Sequence, residues 1–342
     1  MQVFADRPPE EVASLLETVG TEVVRAFGLE GATSSYGSSR PIPTVCSGAE
    51  QHYPGWMTLL RMREDLPTLR APVLVGAFDG WIDAGSAASA AAALLAHDAE
   101  AVATADSDAL FDYRSRRPVL DVVDGTLSEL DWPTISIVRR AEDGRDLLVL
   151  YGPEPDFRWK ELGEQVMETA VRLGVVQWVS LGAIPAAVPH TRPVHVFGTA
   201  SQQGLLHDDV EQGPQGLLRV PAATLSVIEM AVAGAGIPTV GFYAQVPHYV
   251  GGQFAAGAIA LLEQVGRHLG VDLSLGGLPD EALAQRQRLD TAVGSDDDAR
   301  EYLERLETIA GEEHVPSGDE LASEIERFLQ GEAGDDGPRL GP

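Results

Sequence analysis

The stretch VLVGAFDGWIDAGSAASAAAALLAH, residues 73–97, decides the fold class. Residues 73–78 form a continuous apolar run with no polar alternation. A strand of that kind is buried on both faces, as in a parallel sheet covered by helices. Residues 84–97 are dense in alanine, which favours a helix and lets it lie close against a sheet. Between them, Asp79–Gly85 turns the chain from the carboxyl end of a strand into the start of a helix.

The same alternation continues on either side. Apolar, β-prone runs at 101–105, 119–123, 134–139, 147–151, 175–181, 194–198 and 239–246 predict strands. Helical spacing at 158–173, 222–235 and 254–269 predicts helices, closed by Gly174, Gly236 and Gly270 in the position glycine favours. Asp143-Gly144 between two apolar runs predicts a tight hairpin. Strands alternating with helices imply α/β architecture. The reading is a three-layer α/β/α core over 66–279 with a mostly parallel sheet, made mixed by one hairpin.

The flanks read differently. Residues 1–65 are expected to be a poorly ordered extension with one helix at 10–28, or to lie upstream of a true start at Met57 or Met62. Residues 280–330 read as an acidic helical segment. One helix is expected at 296–309. A second is expected from Ser317, whose capping box with Glu320 opens a stripe of Leu321, Ile325, Phe328 and Leu329. Residues 331–342 read as a disordered tail.

Charge sets limits on partners. The chain has 342 residues, with 52 Asp and Glu against 24 Lys and Arg, a net −28. Such a surface repels phosphate backbones and anionic lipid, so nucleic acid and membrane are excluded as main partners. The last 63 residues hold 18 acids and 6 bases, net −12, so the centre is only moderately acidic. Lys160 is the single lysine and Cys46 the single cysteine. No intrachain disulfide and no cysteine-rich metal site follow from that count, which fits a cytoplasmic setting. No run approaches the length of a membrane span. Phosphate-loop, dinucleotide, serine-elbow and zinc-protease signatures are absent, and no cofactor or metal is expected.

Four polar loops fall at strand ends, where ligands bind in open α/β sheets. The first carries Asp79, Trp81 and Asp83. Its carboxylates would hold hydroxyls or a cation, or else Asp83 caps the following helix. The second is Asp112-Tyr113-Arg114-Ser115-Arg116-Arg117-Pro118. Its three arginines, Arg114, Arg116 and Arg117, either grip an anion or pair internally with Asp79, Asp83 or Glu154. The third carries Glu154, Asp156 and Arg158. Asp156 reads as an N-cap, whereas Glu154 lies between two prolines with no evident structural duty. The fourth holds His190 and Arg192, and His248 follows the last strong strand. Either histidine would carry protons if it met a carboxylate, and otherwise serves structure.

The series D-G-W-x-D-A-G, D-Y-R-S-R-R-P, G-P-E-P-D-x-R-W, A-V-P-H-T-R-P and V-P-H-Y, in this order, resembles the actinobacterial branch of the proteasome assembly chaperone 2 family. The capped segment S-G-D-E-L-A-S-E-I-E-R-F-L resembles that branch too. The resemblance covers about 66–330. It implies a fold similar to the purine nucleoside phosphorylase and hydrolase group, and a protein-binding or assembly role. It implies a homo-oligomer with a proteasome-related protein partner. The alternative is a small-molecule enzyme of the phosphorylase or hydrolase kind. It would take an anionic or polyhydroxy ligand, with Asp79, Asp83 and Glu154 as acids, Arg114, Arg117 and Arg192 as anion binders, and His190 or His248 moving protons.

Overall fold

The computed structural model describes residues 58–142, 144–213 and 219–312. The helices expected at 10–28 and from Ser317 lie outside the described residues. An eight-stranded sheet forms the centre, in the order β1 (Leu60–Met62), β3 (Glu100–Ala105), β6 (Ser136–Glu142), β7 (Arg145–Pro153), β2 (Val73–Asp79), β8 (Gln177–Ala186), β10 (Thr239–Pro247), β9 (Val196–Ala200). The four strands β7, β2, β8 and β10 run parallel. Both flanks are antiparallel, so the sheet is more mixed than one hairpin would make it.

Helices cover both faces. Strand β2 alternates as a doubly buried strand must. Val73, Val75 and Ala77 enter one core with α1 (Ala87–Ala96) and α5 (Ala255–Leu269), while Leu74 and Phe78 enter the other with α3 (Trp159–Arg172) and α4 (Thr224–Gly234). The alanines of α1 do what their size permits. A Cβ on Gly257 of α5 would stand 2.9 Å from the Ala87 methyl, so these two helices meet through their smallest side chains. Beyond α5 lie α6 (Leu278–Gly294) and α7 (Asp297–Glu312).

Several local expectations are corrected. The strand at 119–123 does not join the sheet: among the described residues β4 (Val119–Val123) pairs only with β5 (Thr126–Asp131), as a separate hairpin. The helix expected from 84 begins at Ala87, because Gly85 and Ser86 take left-handed φ of 60° and 48° and make a short turn first. Strand β1 lies upstream of residue 66, and α6 crosses the boundary drawn at 279 with Leu278 and Gln285 buried. The hairpin at 143–144 forms, joining β6 to β7 with Gly144 at a φ of 82°; Asp143 lies outside the described residues.

Candidate functional site

The loops at strand ends form two groups rather than one pocket. In the first, 79–83, 112–116 and 154–158 interlock. The Glu154 N–H donates to the Asp79 carbonyl at 2.9 Å. The Glu154 carboxylate accepts the Trp81 N–H at 3.2 Å and the Thr224 N–H at the start of α4 at 2.7 Å. Glu154 therefore has a structural duty, contrary to the sequence expectation: it rivets β7 to two other elements. Gly80 is part of the fit, since a Cβ there would lie 2.6 Å from a Glu154 carboxylate oxygen.

Asp156 is not an N-cap either. Arg158, at a left-handed φ of 59°, occupies that position of α3 and grips Glu161 through Nε and Nη2 at 2.8 and 2.6 Å. Asp156 instead accepts the Asp112 N–H at 2.8 Å, and Asp112 in turn accepts the Arg114 N–H at 2.9 Å. From the arginine loop it is Arg116 that reaches Asp79, at 2.9 Å. Arg114 and Arg117 are exposed, and neither guanidinium has a partner among the described residues.

Asp83 is buried and caps α1 from four residues before its first residue, Ala87. Its Oδ1 accepts the N–H groups of Ala88 at 2.7 Å and Ser89 at 3.3 Å, while Oδ2 has no partner among the described residues. Burial raises its pKa above the ordinary 3.8, against the opposing hydrogen bonds from Ser89 and Ala88. A raised carboxyl pKa means that ionisation costs folded-state stability once pH climbs past 3.8. Asp83→Asn keeps an acceptor for the two amides and removes that cost. Its melting temperature relative to wild type should rise from pH 4 to pH 7; a difference flat in pH would contradict this account.

The second group surrounds His190 and His248, far along the chain from the first. The Tyr249 hydroxyl accepts the His190 backbone N–H at 2.7 Å and so directs its own hydrogen to Nδ1, also at 2.7 Å. Nε2–H is left to donate to Asp290 on α6 at 3.2 Å. Burial lowers the His190 pKa, opposed by Asp290 and aided by Arg286. Burial works against the Asp290 carboxylate, but hydrogen bonds from Arg286 and His190 hold its pKa below the ordinary value. Arg286 also donates to the His190 carbonyl at 3.1 Å. His248 donates from Nδ1 to the Ala186 carbonyl and accepts the Tyr302 hydroxyl of α7 at Nε2, both at 3.1 Å. Thr191 donates to Glu307 of α7. These residues fasten α6 and α7 to the loops that follow β8 and β10. No hydrogen bond or ion pair among the described residues joins the two groups. Sequence reasoning missed Asp290, Arg286, Tyr302 and Glu307, which no local signal ties to the histidine loops.

What the first group displays outward is aromatic. Trp81 is 67% exposed and Phe157 50%, each on a loop held by carboxylate-to-backbone hydrogen bonds. The β4–β5 hairpin likewise exposes Val119, Leu120, Val122, Val123, Leu127 and Leu130. Successive strand residues point to opposite faces, so both faces of this hairpin are apolar. Its base is set by Trp132, whose ring meets Tyr113 edge-on at 4.7 Å. Among the described residues no group of three His, Cys, Asp or Glu is placed to hold a metal ion, and no helix is long and apolar enough to cross a membrane.

The PAC2 family model matches residues 77–293, which takes in both groups of loops and the hairpin. The chain belongs to the PAC2 family. Among solved structures, this PAC2 protein is similar to the Mycobacterium tuberculosis protein of unknown function Rv2714, at 33% identity over 77% of this chain and 94% of that one, with a TM-score of 0.70. It is also similar to the Mycobacterium tuberculosis proteasome-assembly chaperone homologue Rv2125, at 37% identity over 68% and 99% of the two chains, TM-score 0.62. The Pyrococcus furiosus archaeal proteasome activator PbaB shares the fold, at 15% identity over 69% and 99% and a TM-score of 0.54. No curated protein matches. The carboxylates of this PAC2 protein's sheet edge are mostly engaged with backbone N–H groups and one guanidinium, which stiffens loops rather than offering an acid to a substrate.

Proposed function

We propose that this chain is a protein-binding component of the assembly type, acting on a proteasome-related protein, and that it associates with itself through the β4–β5 hairpin. The observation that carries the reading is that hairpin. A lone two-stranded ribbon is marginal in water, and unpaired apolar edges invite pairing with another chain. Among the described residues the ribbon's edges are unpaired, its side chains are apolar on both faces, and Leu127 is 70% exposed. Its acids Asp121, Asp124, Glu129 and Asp131 stand near the unpartnered Arg114 and Arg117 in sequence. Two copies related by a two-fold axis would set each copy's arginines against the other's acids. Trp81 and Phe157, on stiffened loops, are the anchors left for a different protein, since exposed aromatics beside arginine are the usual composition of binding hot spots. The resemblance in sequence to a proteasome-assembly chaperone homologue supports a proteasome-related partner. A cytoplasmic setting goes with that reading.

Two measurements test it. Sedimentation of the full chain should give a mass above the protomer, and Leu127→Asp should return it to the protomer. A wild-type monomer at tens of micromolar sinks the self-association. Retention on immobilised proteasome subunits should fall at least tenfold, about 1.4 kcal/mol, in Trp81→Ala. Retention no higher than background for the wild type removes the proteasome-related partner.

A further inference from the structure

A groove opens between α5 and α6. Its cavity volume is about 380 Å³, and its walls are mainly apolar, with Val194, Ile259 and Leu289, while Arg192, Arg286 and Glu263 are its charged lining. Such a trough suits the apolar face of an amphipathic helix. Arg192 is exposed, and its guanidinium has no partner among the described residues. A second, more polar recess on the other side of Gln285 adds Arg288 to the same helix.

We propose that the chain's own segment 317–329 docks in this groove as a helix. Four observations converge on that occupant. The first is its pattern. Leu321, Ile325, Phe328 and Leu329 recur at helical spacing behind the Ser317–Glu320 capping box, while a helix of this length is marginal unless its stripe is buried. The second is charge. Residues 313–330 carry five acids against one base, Arg327, and the groove lining carries Arg192 and Arg286 against the single acid Glu263. The third is position. Glu307 accepts the Thr191 hydroxyl, next to Arg192 on the groove wall, and α7 ends at Glu312, about 7.5 Å of helix rise further on. The fourth is reach. Residues 313–316 span up to roughly 13 Å when extended, enough to bring Ser317 to the rim.

The docked segment would cover the apolar trough with the chain's own tail, leaving the hairpin surface free. The proposal stands independently of the proteasome reading. It is tested on the full chain carrying a photo-reactive benzoylphenylalanine at position 328. Irradiation should cross-link that residue to 254–263 or 282–289 of the same chain, with a yield independent of protein concentration. Ile259→Asp, at a half-buried groove position, should reduce the yield at least fivefold while circular dichroism stays unchanged. Cross-links to any other region overturn the proposal. A cross-linked dimer whose yield climbs with concentration overturns the intrachain form, because the occupant is then a second copy's tail. In the full chain without the probe, Phe328→Asp should speed amide exchange in α5 and α6; unchanged exchange counts against docking.

Discussion

Gly76→Ala should lower the melting temperature by roughly 6–12 °C, the effect of about 3 kcal/mol in a protein of this size. A methyl group on Gly76 would stand 2.5 and 2.6 Å from Cη2 and Cζ2 of Trp178, and 3.1 Å from Leu225. Atoms never approach that closely, so something must move. The indole is poorly placed to do so. Trp178 is fully buried, and its Nε1–H donates to the Ser180 hydroxyl at 2.7 Å. That hydroxyl donates to Glu229 at 2.6 Å, and Thr239 donates to the same carboxylate at 3.2 Å. Burial raises the Glu229 pKa, so the network already works against desolvation. Swinging the indole away would leave these polar groups unpaired. The check is a double-mutant cycle with Trp178→Phe. The smaller ring costs stability alone but makes room for the methyl, so the double variant should lose less than the two singles combined. Gly76→Ala within a degree of wild type would show that β2 and β8 do not meet this tightly.

The fold was largely legible because its decisive strands are apolar at most positions. Residues 73–78, 147–151, 175–181 and 239–246 lack the polar alternation of a strand with one face in water, and together they make the parallel centre of the sheet. The hairpin at 119–131 was not legible. Val-Leu-Asp-Val-Val serves a half-buried strand or an exposed contact strand equally well, and β-propensity does not distinguish them. Helix α6 was missed because it buries only Leu278 and Gln285 and so has no apolar stripe to read.

The site divides the same way. Strand ends placed Asp79, Glu154 and their neighbours at one edge, as expected, because parallel strands end together. Which carboxylate meets which amide is a matter of loop geometry that spacing does not encode. Arg116 rather than Arg114 or Arg117 pairs with Asp79, though all three sit in one four-residue run. His190 and Asp290 lie 100 residues apart, and His248 and Tyr302 lie 54 apart. Contacts at such separations leave no mark on local periodicity.

Asp146→Ala should cost about 3 kcal/mol yet leave partner binding per folded molecule unchanged. Asp146 is wholly buried. Its Oδ1 accepts from Nε of Arg139 at 3.0 Å and lies 2.8 Å from Nη2, and its Oδ2 accepts the Arg70 N–H at 2.6 Å. Arg139 is itself only 17% exposed, with a second acceptor in Glu100 at 3.5 Å. Truncation strands a guanidinium and an amide where water barely reaches. The loss comes from that stranding rather than from any large net worth of the pair, since buried ion pairs roughly break even against apolar replacements. Removing both charges with Arg139→Met and Asp146→Leu should therefore recover most of the stability, which chemical denaturation can measure. Asp146 also lies near the amino end of β7, whereas Glu154 follows its carboxyl end. Seven residues of strand rise separate 146 from 153 by about 23 Å, so Asp146 lies at least that far along the strand from the residue before Glu154. A defect that distant lowers the folded fraction without touching the loops that hold Trp81 and Phe157. If Asp146→Ala instead abolished self-association or partner retention at full folding, the binding surface would have to extend to the opposite end of the sheet.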